Sequence, residues 1–149
     1  MKGASARSTD AWPLAAREAG IFGHSSNGWR VVIAEEGRES AAAEALLLEL
    51  RSLIDEPIQH VPVHSAERLV EAIESSPGGA LVLSAQARFY AQDWRTIDLR
   101  RSRLMRTGPT LLIVTSSDVA TMVSSAPNLW SWIGGEVWRL CIDEEQQDA

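Results

Sequence analysis

The sequence predicts an α/β domain in which helices cover both faces of a five-stranded, mainly parallel sheet. Short apolar runs rich in β-branched residues alternate with segments whose apolar residues recur at helical spacing. Each connection between consecutive strands is long enough for the crossover that parallel pairing requires. An apolar fraction of 45% and a charged fraction of 23% are typical of a globular chain with one core.

The first three strands and the first two helices are predicted between Trp29 and Ala85. The run "WRVVIAEE" predicts a buried strand, and Ser40 is placed to cap a helix over "AAAEALLLELRSLI". The run "PIQHVPVH" predicts an edge strand, because Pro62 cannot donate to a sheet ladder. Ser65 is placed to cap the second helix, and the wholly apolar run "ALVLSA" predicts a central strand covered on both faces.

The second half of the domain is predicted to contain two more strands and several short helices. The run "AQDWRTI" predicts a helix, and Asp98 is placed to cap a further helical stretch, "LRRSRLMRT". The run "TLLIVTSS" predicts the fourth strand, and Ser117 or Asp118 starts the next helix. Pro127 favours the first turn of a short helix over "NLWSWI", and "EVWRLCI" predicts the fifth strand.

Segments of different composition flank this domain, which is predicted to span residues 29–143. Residues 1–28 are rich in Gly, Ala and Ser and show no sustained periodicity, which predicts a flexible arm. Trp12 and Phe22 of that arm are available to dock on the domain or on a partner. Residues 144–149 form an acidic tail.

Charge and cysteine content exclude several classes of function. The net charge of −6 argues against nucleic acid as a partner, because phosphate binding depends on lysine and arginine. The single cysteine fits a reducing compartment. No apolar run approaches the roughly 20 residues that span a bilayer, and "MKGASARSTD" lacks the apolar core of a secretion signal. We therefore expect a cytoplasmic protein that binds neither membrane nor nucleic acid.

Ligands of parallel sheets usually bind at the carboxyl ends of the strands, so residues at these ends are the first candidates for a binding site. Glu35 and Glu36 end the first predicted strand, Ser84 ends the third, and Thr115 ends the fourth. This layout resembles that of a degenerate response-regulator receiver domain. It implies that the sheet is receiver-like or Rossmann-like. Ser84 replaces the aspartate that accepts phosphate in that family, and no lysine follows the fifth strand. The resemblance implies a ligand-binding or dimerising domain without phosphotransfer; the alternative is that the acidic pair lies in a solvated loop.

No motif in the sequence predicts a catalytic, cofactor or metal site. A phosphate-binding GxxxxGK[ST] is absent, and no GxGxxG opens a helix after a strand. His60 and His64 would lie about 13 Å apart on an extended segment, at roughly 3.3 Å per residue, which is too far to share one ion. A triad of Ser84, His64 and Asp118 lacks the GxSxG context. Cys141 falls within an apolar strand and is interpreted as a core residue.

Arginines are concentrated in "RTIDLRRSRLMR". On one helix, Arg100, Arg103 and Arg106 would form a basic stripe. One interpretation is a solvated face that pairs with the acidic tail. The other is a docking patch for an acidic protein partner.

Tryptophans are concentrated in "APNLWSWIGGEVWRL", which holds Trp130, Trp132 and Trp138. Trp130 and Ile133 share a helix face at i, i+3, so Trp130 is expected to anchor the helix to the core. Trp132 is expected to point away from the core. It is therefore the leading candidate for partner binding.

Residues 96–140, "TIDLRRSRLMRTGPTLLIVTSSDVATMVSSAPNLWSWIGGEVWRL", resemble a second family. The segment is similar to a module found ahead of the NTPase domain in bacterial signal-transduction ATPases of the NACHT/STAND type, whose pattern includes an "APDLWSW"-like box. Asp98–Leu99 departs from the Leu-Asn order of that pattern. The resemblance implies a regulatory or interaction module without activity of its own.

Together these features predict a non-enzymatic, cytoplasmic regulatory protein that acts as an adaptor or inhibitor. Its expected partner is another protein, such as a regulated ATPase or enzyme. The alternative from another class is a receiver-like signalling domain that binds a small ligand or forms a homodimer at the strand ends. A third hypothesis is a hydrolase whose site has no recognised motif.

Overall fold

A computed structural model of the chain describes residues 6–8, 29–52, 57–133 and 137–142. The strands are β1 (Ala6–Ser8), β2 (Trp29–Ile33), β3 (Ile58–Val63), β4 (Ala80–Ala85), β5 (Thr110–Val114) and β6 (Val137–Ile142). The helices are α1 (Glu39–Arg51), α2 (Ala66–Ser75), α3 (Ala91–Leu99), α4 (Ser116–Ser125) and α5 (Pro127–Ile133), with a 3-10 helix at Arg101–Leu104. A parallel sheet flanked by helices confirms the predicted α/β class.

The strands are arranged in the order β1-β6-β2-β5-β4-β3. Parallel pairing joins β3 to β4, β4 to β5 and β5 to β2. The predicted count of five strands is wrong. Four parallel strands form the part of the sheet whose side chains are described, and parallel β6 and antiparallel β1 extend it beyond β2. β1 lies within the predicted arm; the rest of residues 1–28 and the tail 144–149 lie outside the described residues.

Two apolar clusters cover the two faces of the sheet. On one face lies α1, the one described helix on that side, and its Ala42, Leu46 and Leu50 pack in one cluster with Val32 and Ile113 of the strands. On the other face, the apolar residues of α2 to α5 pack against the alternate strand positions. Because successive strand residues point to opposite faces, β2, β4 and β5, which are buried along their whole length, contribute to both clusters. Among the described helices, α1 thus lies on one face of the sheet, and α2 to α5 lie on the other.

The strand order is neither receiver-like nor Rossmann-like. Numbered along the chain, the parallel strands from β2 to β6 lie in the spatial order fifth, first, fourth, third, second. Receiver- and flavodoxin-like sheets have the order 2-1-3-4-5, and dinucleotide-binding sheets have 3-2-1-4-5-6. The sequence pattern identifies strands and crossovers, but pairing between strands is decided by contacts that the pattern does not contain.

Helix starts follow the sequence prediction at one position and depart from it at another. Ser65 caps α2 as predicted, because its hydroxyl accepts a hydrogen bond from the Arg68 N–H at 3.2 Å. Ser40 was expected to cap α1 but lies inside its first turn, and Arg38 occupies the N-cap position without a side-chain cap. The Ser40 hydroxyl instead donates to Gln86 Oε1 at 3.3 Å. Ser40 is thus committed to a tertiary contact.

Asp98 was expected to cap a helix of its own and caps another one. It lies in the last turn of α3, and its carboxylate accepts from the Leu129 N–H and from Asn128 Nδ2 in the first turn of α5. A carboxylate at a helix N-terminus satisfies free N–H groups and interacts favourably with the helix dipole. α5 is therefore positioned by α3. Between α3 and β5 there is a 3-10 turn in place of the predicted second helix.

Among the helices that the structure describes, none combines the length and the apolar character needed to cross a bilayer.

Candidate functional site

A cleft of about 250 Å³ opens at the carboxyl edge of the sheet. It lies where neighbouring β2 and β5 lead into helices on opposite faces, α1 and α4. Such a topological switch point leaves a crevice in which α/β proteins bind ligands. The residues lining the cleft are Glu36, Gly37, Glu39, Gln86, Ala87, Arg88, Thr115, Ser117 and Asp118.

The turn between β2 and α1 forms the acidic wall of the cleft. Gly37 has φ +83°, a conformation that side chains disfavour, and the Arg38 N–H donates to the Glu35 carbonyl at 2.9 Å. This turn places Glu36 and Glu39 on the cleft. Of the predicted acidic pair, Glu36 therefore lines the cleft, whereas Glu35 is exposed outside it.

The start of α4 forms the opposite wall. Thr115 caps α4, not Ser117 or Asp118 as predicted, and Asp118 occupies the third helical position of a capping box. The buried Asp118 carboxylate accepts from Thr115 Oγ1 at 3.0 Å and from the N–H groups of Thr115 at 3.2 Å and Phe89 at 3.4 Å. Both of its oxygens are therefore bonded, and they tie the loop after β4 to the loop after β5. Ser117 Oγ lies 3.1 Å from Thr115 Oγ1 and is exposed.

The loop after β4 supplies an amide and a cation. The Gln86 N–H donates to the Val63 carbonyl at 2.8 Å, which fixes the start of the loop against the end of β3. The Arg88 guanidinium lies 5.7 Å from the centre of the Tyr90 ring, a cation–π distance. Arg88 is thus the cation among the described residues that line the cleft.

Ser84 is the penultimate residue of β4 and does not line the cleft. Its side chain is fully buried, and its hydroxyl lies 2.8 Å from His60 Nε2 and 3.1 Å from Gln86 Nε2. Burial lowers the pKa of His60, and the field of Glu44 opposes that shift. The triad of Ser84, His64 and Asp118 is not assembled, because Ser84 contacts His60.

In the described part of the chain, no three His, Cys, Asp or Glu side chains are grouped so that they could hold a metal ion.

The arginines of the predicted stripe do not share one helix, because α3 ends at Leu99 and a 3-10 turn follows. Arg103 forms a two-pronged ion pair with Glu74 of α2, at 2.7 and 2.9 Å. That hydrogen bonding holds the pKa of Glu74 below its ordinary value, and Arg100 adds a weaker field in the same direction. Their proposed role in docking an acidic partner stays a prediction.

Arg106 is a structural residue at the opposite, amino edge of the sheet. Its guanidinium donates to the carbonyl oxygens of Ser76 at 2.6 Å, Gly79 at 2.6 Å and Pro109 at 3.1 Å, and to Thr110 Oγ1 at 2.9 Å. These groups belong to the loops before β4 and β5 and to the first residue of β5. The planar fork of arginine suits such multiple donation, which a lysine could not reproduce.

Trp132 does not point away from the core, so that expectation is wrong. Its ring meets the buried ring of Trp29 edge to face, with centroids 5.7 Å apart. The wholly buried residues of α5 are Leu129 and Ile133, while Trp130 and Trp132 are half-buried against the same cluster. A seven-residue helix seated on a large cluster brings most of its circumference into contact. A role of Trp132 in partner binding stays a prediction; Trp12 and Phe22 lie outside the described residues.

Comparison with protein-family models, with curated proteins and with solved structures gives no match to this chain. The resemblances to receiver domains and to the module of NACHT/STAND ATPases therefore stay predictions.

The sequence identified Glu36, Thr115 and Ser117 as strand-end residues but missed Glu39, Gln86 and Arg88. All three lie within the first six residues after a strand. Polar residues in that window are a usable signal once strands are assigned, because the following turn and the first helical turn form the rim of the cleft. Ser84 was included because the end of the third predicted strand was placed one residue before Ala85, the last residue of β4.

Proposed function

We propose that the protein is a non-enzymatic regulatory protein that binds a small polar ligand at the carboxyl edge of its sheet. The observation that supports this is the cleft at the switch point between β2 and β5, lined by polar side chains from three loops. Its volume of about 250 Å³ is at the lower end for ligand sites, which indicates a ligand of amino-acid size.

The charges around the cleft favour a ligand that carries both a cation and an anion. Glu36 and Glu39 form one wall, where an ammonium group would be stabilised. Arg88 and the Ser117 hydroxyl line the other walls, where a carboxylate would find donors. The start of α4 adds its positive dipole on that side. A zwitterion therefore satisfies the lining better than an anion or a cation alone.

The same geometry supports a binding role rather than a hydrolytic one. Asp118 is occupied by three hydrogen bonds, and Ser84 is fully buried beside His60. Among the described residues that line the cleft there is no histidine, cysteine or lysine. Ser117 is exposed, but its hydroxyl contacts another hydroxyl and no base. An activated nucleophile needs an adjacent base or a lowered pKa.

A thermal-shift screen of the full chain tests this proposal. Free amino acids, betaines and amino sugar acids are compared with matched compounds that lack either the cation or the anion. At a concentration about 100 times its Kd, a ligand adds about 2.7 kcal/mol to stability, which raises the Tm by several degrees. We expect zwitterions alone to give this shift. If no compound shifts the Tm, the proposal fails.

Paired variants then locate the binding site. Glu36→Gln with Glu39→Gln should weaken binding at least tenfold by calorimetry, whereas Glu67→Gln, at an exposed position of α2, should not change it. Arg88→Gln should weaken binding similarly, and Arg95→Gln on α3 serves as its control. Equal affinity in all variants would show that the ligand binds elsewhere.

Binding of a protein partner is a second candidate function, supported by exposed apolar side chains. Leu99 and Met105 are 85% and 74% exposed at the two ends of the 3-10 turn Arg101–Leu104. Large apolar side chains this exposed are common in interaction surfaces. An adaptor or inhibitor would use this surface in place of the basic stripe.

Co-purification from the native host tests the second candidate. A defined partner that binds the native chain should be lost with Leu99→Asp and Met105→Asp together. Leu48→Asp is the matched control, because Leu48 is 70% exposed on α1, which covers the other face of the sheet. A chain that elutes alone under every growth condition would contradict the adaptor hypothesis.

A further inference from the structure

Four polar side chains form a continuous hydrogen-bonded chain from the cleft to β3. Ser40 Oγ donates to Gln86 Oε1 at 3.3 Å, and Gln86 Nε2 donates to Ser84 Oγ at 3.1 Å. Ser84 Oγ in turn lies 2.8 Å from His60 Nε2. Gln86, the member of this chain that lines the cleft, is exposed, whereas Ser84 beside it is fully buried.

The direction of this chain depends on the proton of His60, because the Ser84 hydroxyl has a single hydrogen. When His60 is neutral, Nε2 can accept that hydrogen, and the Ser84 oxygen remains free to accept from Gln86. When His60 is protonated, Nε2 becomes a donor to the Ser84 oxygen. The Ser84 hydrogen then needs an acceptor within a dry environment, where an unmade hydrogen bond is costly.

We propose that Gln86 is a specificity-determining residue of the cleft whose amide orientation is set by the protonation state of His60. Rotation of the Gln86 amide by half a turn presents Oε1 to the Ser84 hydrogen and Nε2 to Ser40, so every member of the chain stays bonded with its direction reversed. The two orientations fill nearly the same space. A ligand beside Gln86 meets an acceptor in one state and a donor in the other. Its use in regulation rests on the proposed function of the cleft.

The surroundings of His60 favour the neutral state at pH 7. His60 faces α1, which presents Glu44, and its neighbours on β4 are Val82 and Ser84, which are uncharged. The charged residues of α2 do not face it, because α2 packs on the opposite face of the sheet with Val63. Burial lowers the pKa of His60, and the field of Glu44 acts in the opposite direction by favouring the protonated state.

NMR of the labelled full chain without ligand tests the reversal directly. Between about pH 8 and 5, neutral His60 should carry its hydrogen on Nδ1. The side-chain amide signals of Gln86 should then move with the midpoint of the His60 titration. The inference is overturned if neutral His60 carries the hydrogen on Nε2, or if the Gln86 signals do not follow that midpoint.

Two variants separate this coupling from a merely structural role. Gln86→Ala removes the acceptor that the protonated state needs and should lower the proton affinity of His60 about threefold, or half a pH unit. Gln92→Ala, an exposed glutamine on α3, should leave it unchanged. In Ser84→Ala, His60 should still titrate while the Gln86 signals no longer follow. An unchanged affinity in Gln86→Ala contradicts the chain. No ligand is used, so a failed ligand screen and a failed reversal are separate outcomes.

Discussion

The two edges of the sheet are built differently. At the amino edge, the loops before β4 and β5 are drawn together by the guanidinium of Arg106 and by direct contact between Gly79 and Gly108. At the carboxyl edge, the turn after β2 leads to one face of the sheet and the loops after β4 and β5 lead to the other, which leaves a cleft whose side chains are largely exposed. Stability is therefore expected to depend on the first edge and binding on the second, since loops that carry function need a rigid support.

The largest effect is expected for Gly108→Ala at the amino edge. Gly108 has φ +118°, and a Cβ there would overlap the carbonyl oxygen of Gly79 and lie 2.9 Å from its carbonyl carbon. Both partners are backbone, so relief requires the two loops to separate. We expect a loss of about 3 kcal/mol or more in the free energy of unfolding, measured by denaturant titration.

Gly37→Ala is the matched control at the carboxyl edge. Gly37 has φ +83°, but a Cβ there would meet no atom within 4 Å. The cost should be limited to the left-handed conformation, about 1–2 kcal/mol. Equal losses in the two variants would show that crowding at the amino edge adds nothing.

Arg106→Ala should give the next largest loss. It removes the donors to the carbonyl groups of Ser76, Gly79 and Pro109 and to the Thr110 hydroxyl, several of them half-buried. Hydrogen bonds from a charged group contribute about 1.5–3 kcal/mol each, with partial replacement by water, so we expect a net loss of about 2–3 kcal/mol. Denaturant unfolding measures it.

Arg103→Ala is the control for that variant. Arg103 forms a well-aligned pair with Glu74, but both side chains are solvent-exposed, and such pairs contribute little. The denaturation midpoint should stay within error of the native chain. A loss as large as that of Arg106→Ala would mean that the arginine segment acts as one network.

This contrast also shows what the sequence can predict. Strands β2 to β6 and most helices follow from local apolar periodicity, whereas β1 was not predicted. The capping role of Ser65 follows from its position before an apolar run. Arg106 could not be assigned, because its acceptors Ser76 and Gly79 lie in a loop about 30 residues away in sequence, and a helical projection grouped it with Arg103. The strand order and the partner of Asp98 failed for the same reason: each depends on which distant elements become neighbours.

Acidification should destabilise the chain through His60, to a smaller extent. Because its pKa is lowered on folding, the unfolded state binds protons more tightly than the folded state. The contribution to stability is complete above the ordinary histidine pKa of about 6.5 and is lost as pH falls from there to the lowered pKa. The free energy of unfolding is measured above and below this pH window in the native chain and in His60→Gln. The variant should lose less stability than the native chain on acidification. An identical pH profile in the variant would contradict the assignment to His60.

The smallest change in stability is expected at the carboxyl edge, from Glu36→Gln with Glu39→Gln. Neither carboxylate forms an ion pair or a side-chain hydrogen bond among those found in the described part of the chain. Removing two neighbouring negative charges should leave the free energy of unfolding within about 0.5 kcal/mol of the native value. Denaturant titration of the double variant checks this, with Glu67→Gln as the control for loss of an exposed charge.

The double variant decides whether the two edges have separate roles. Unchanged stability together with weakened zwitterion binding would assign these charges to ligand recognition. A residue needed for folding should instead lower the free energy of unfolding when it is replaced. A loss above about 1 kcal/mol would instead mean that the turn after β2 supports the fold, as the loops at the amino edge do. The cleft would then be a consequence of packing at the switch point, and the exposed surface around Leu99 and Met105 would become the better candidate for function.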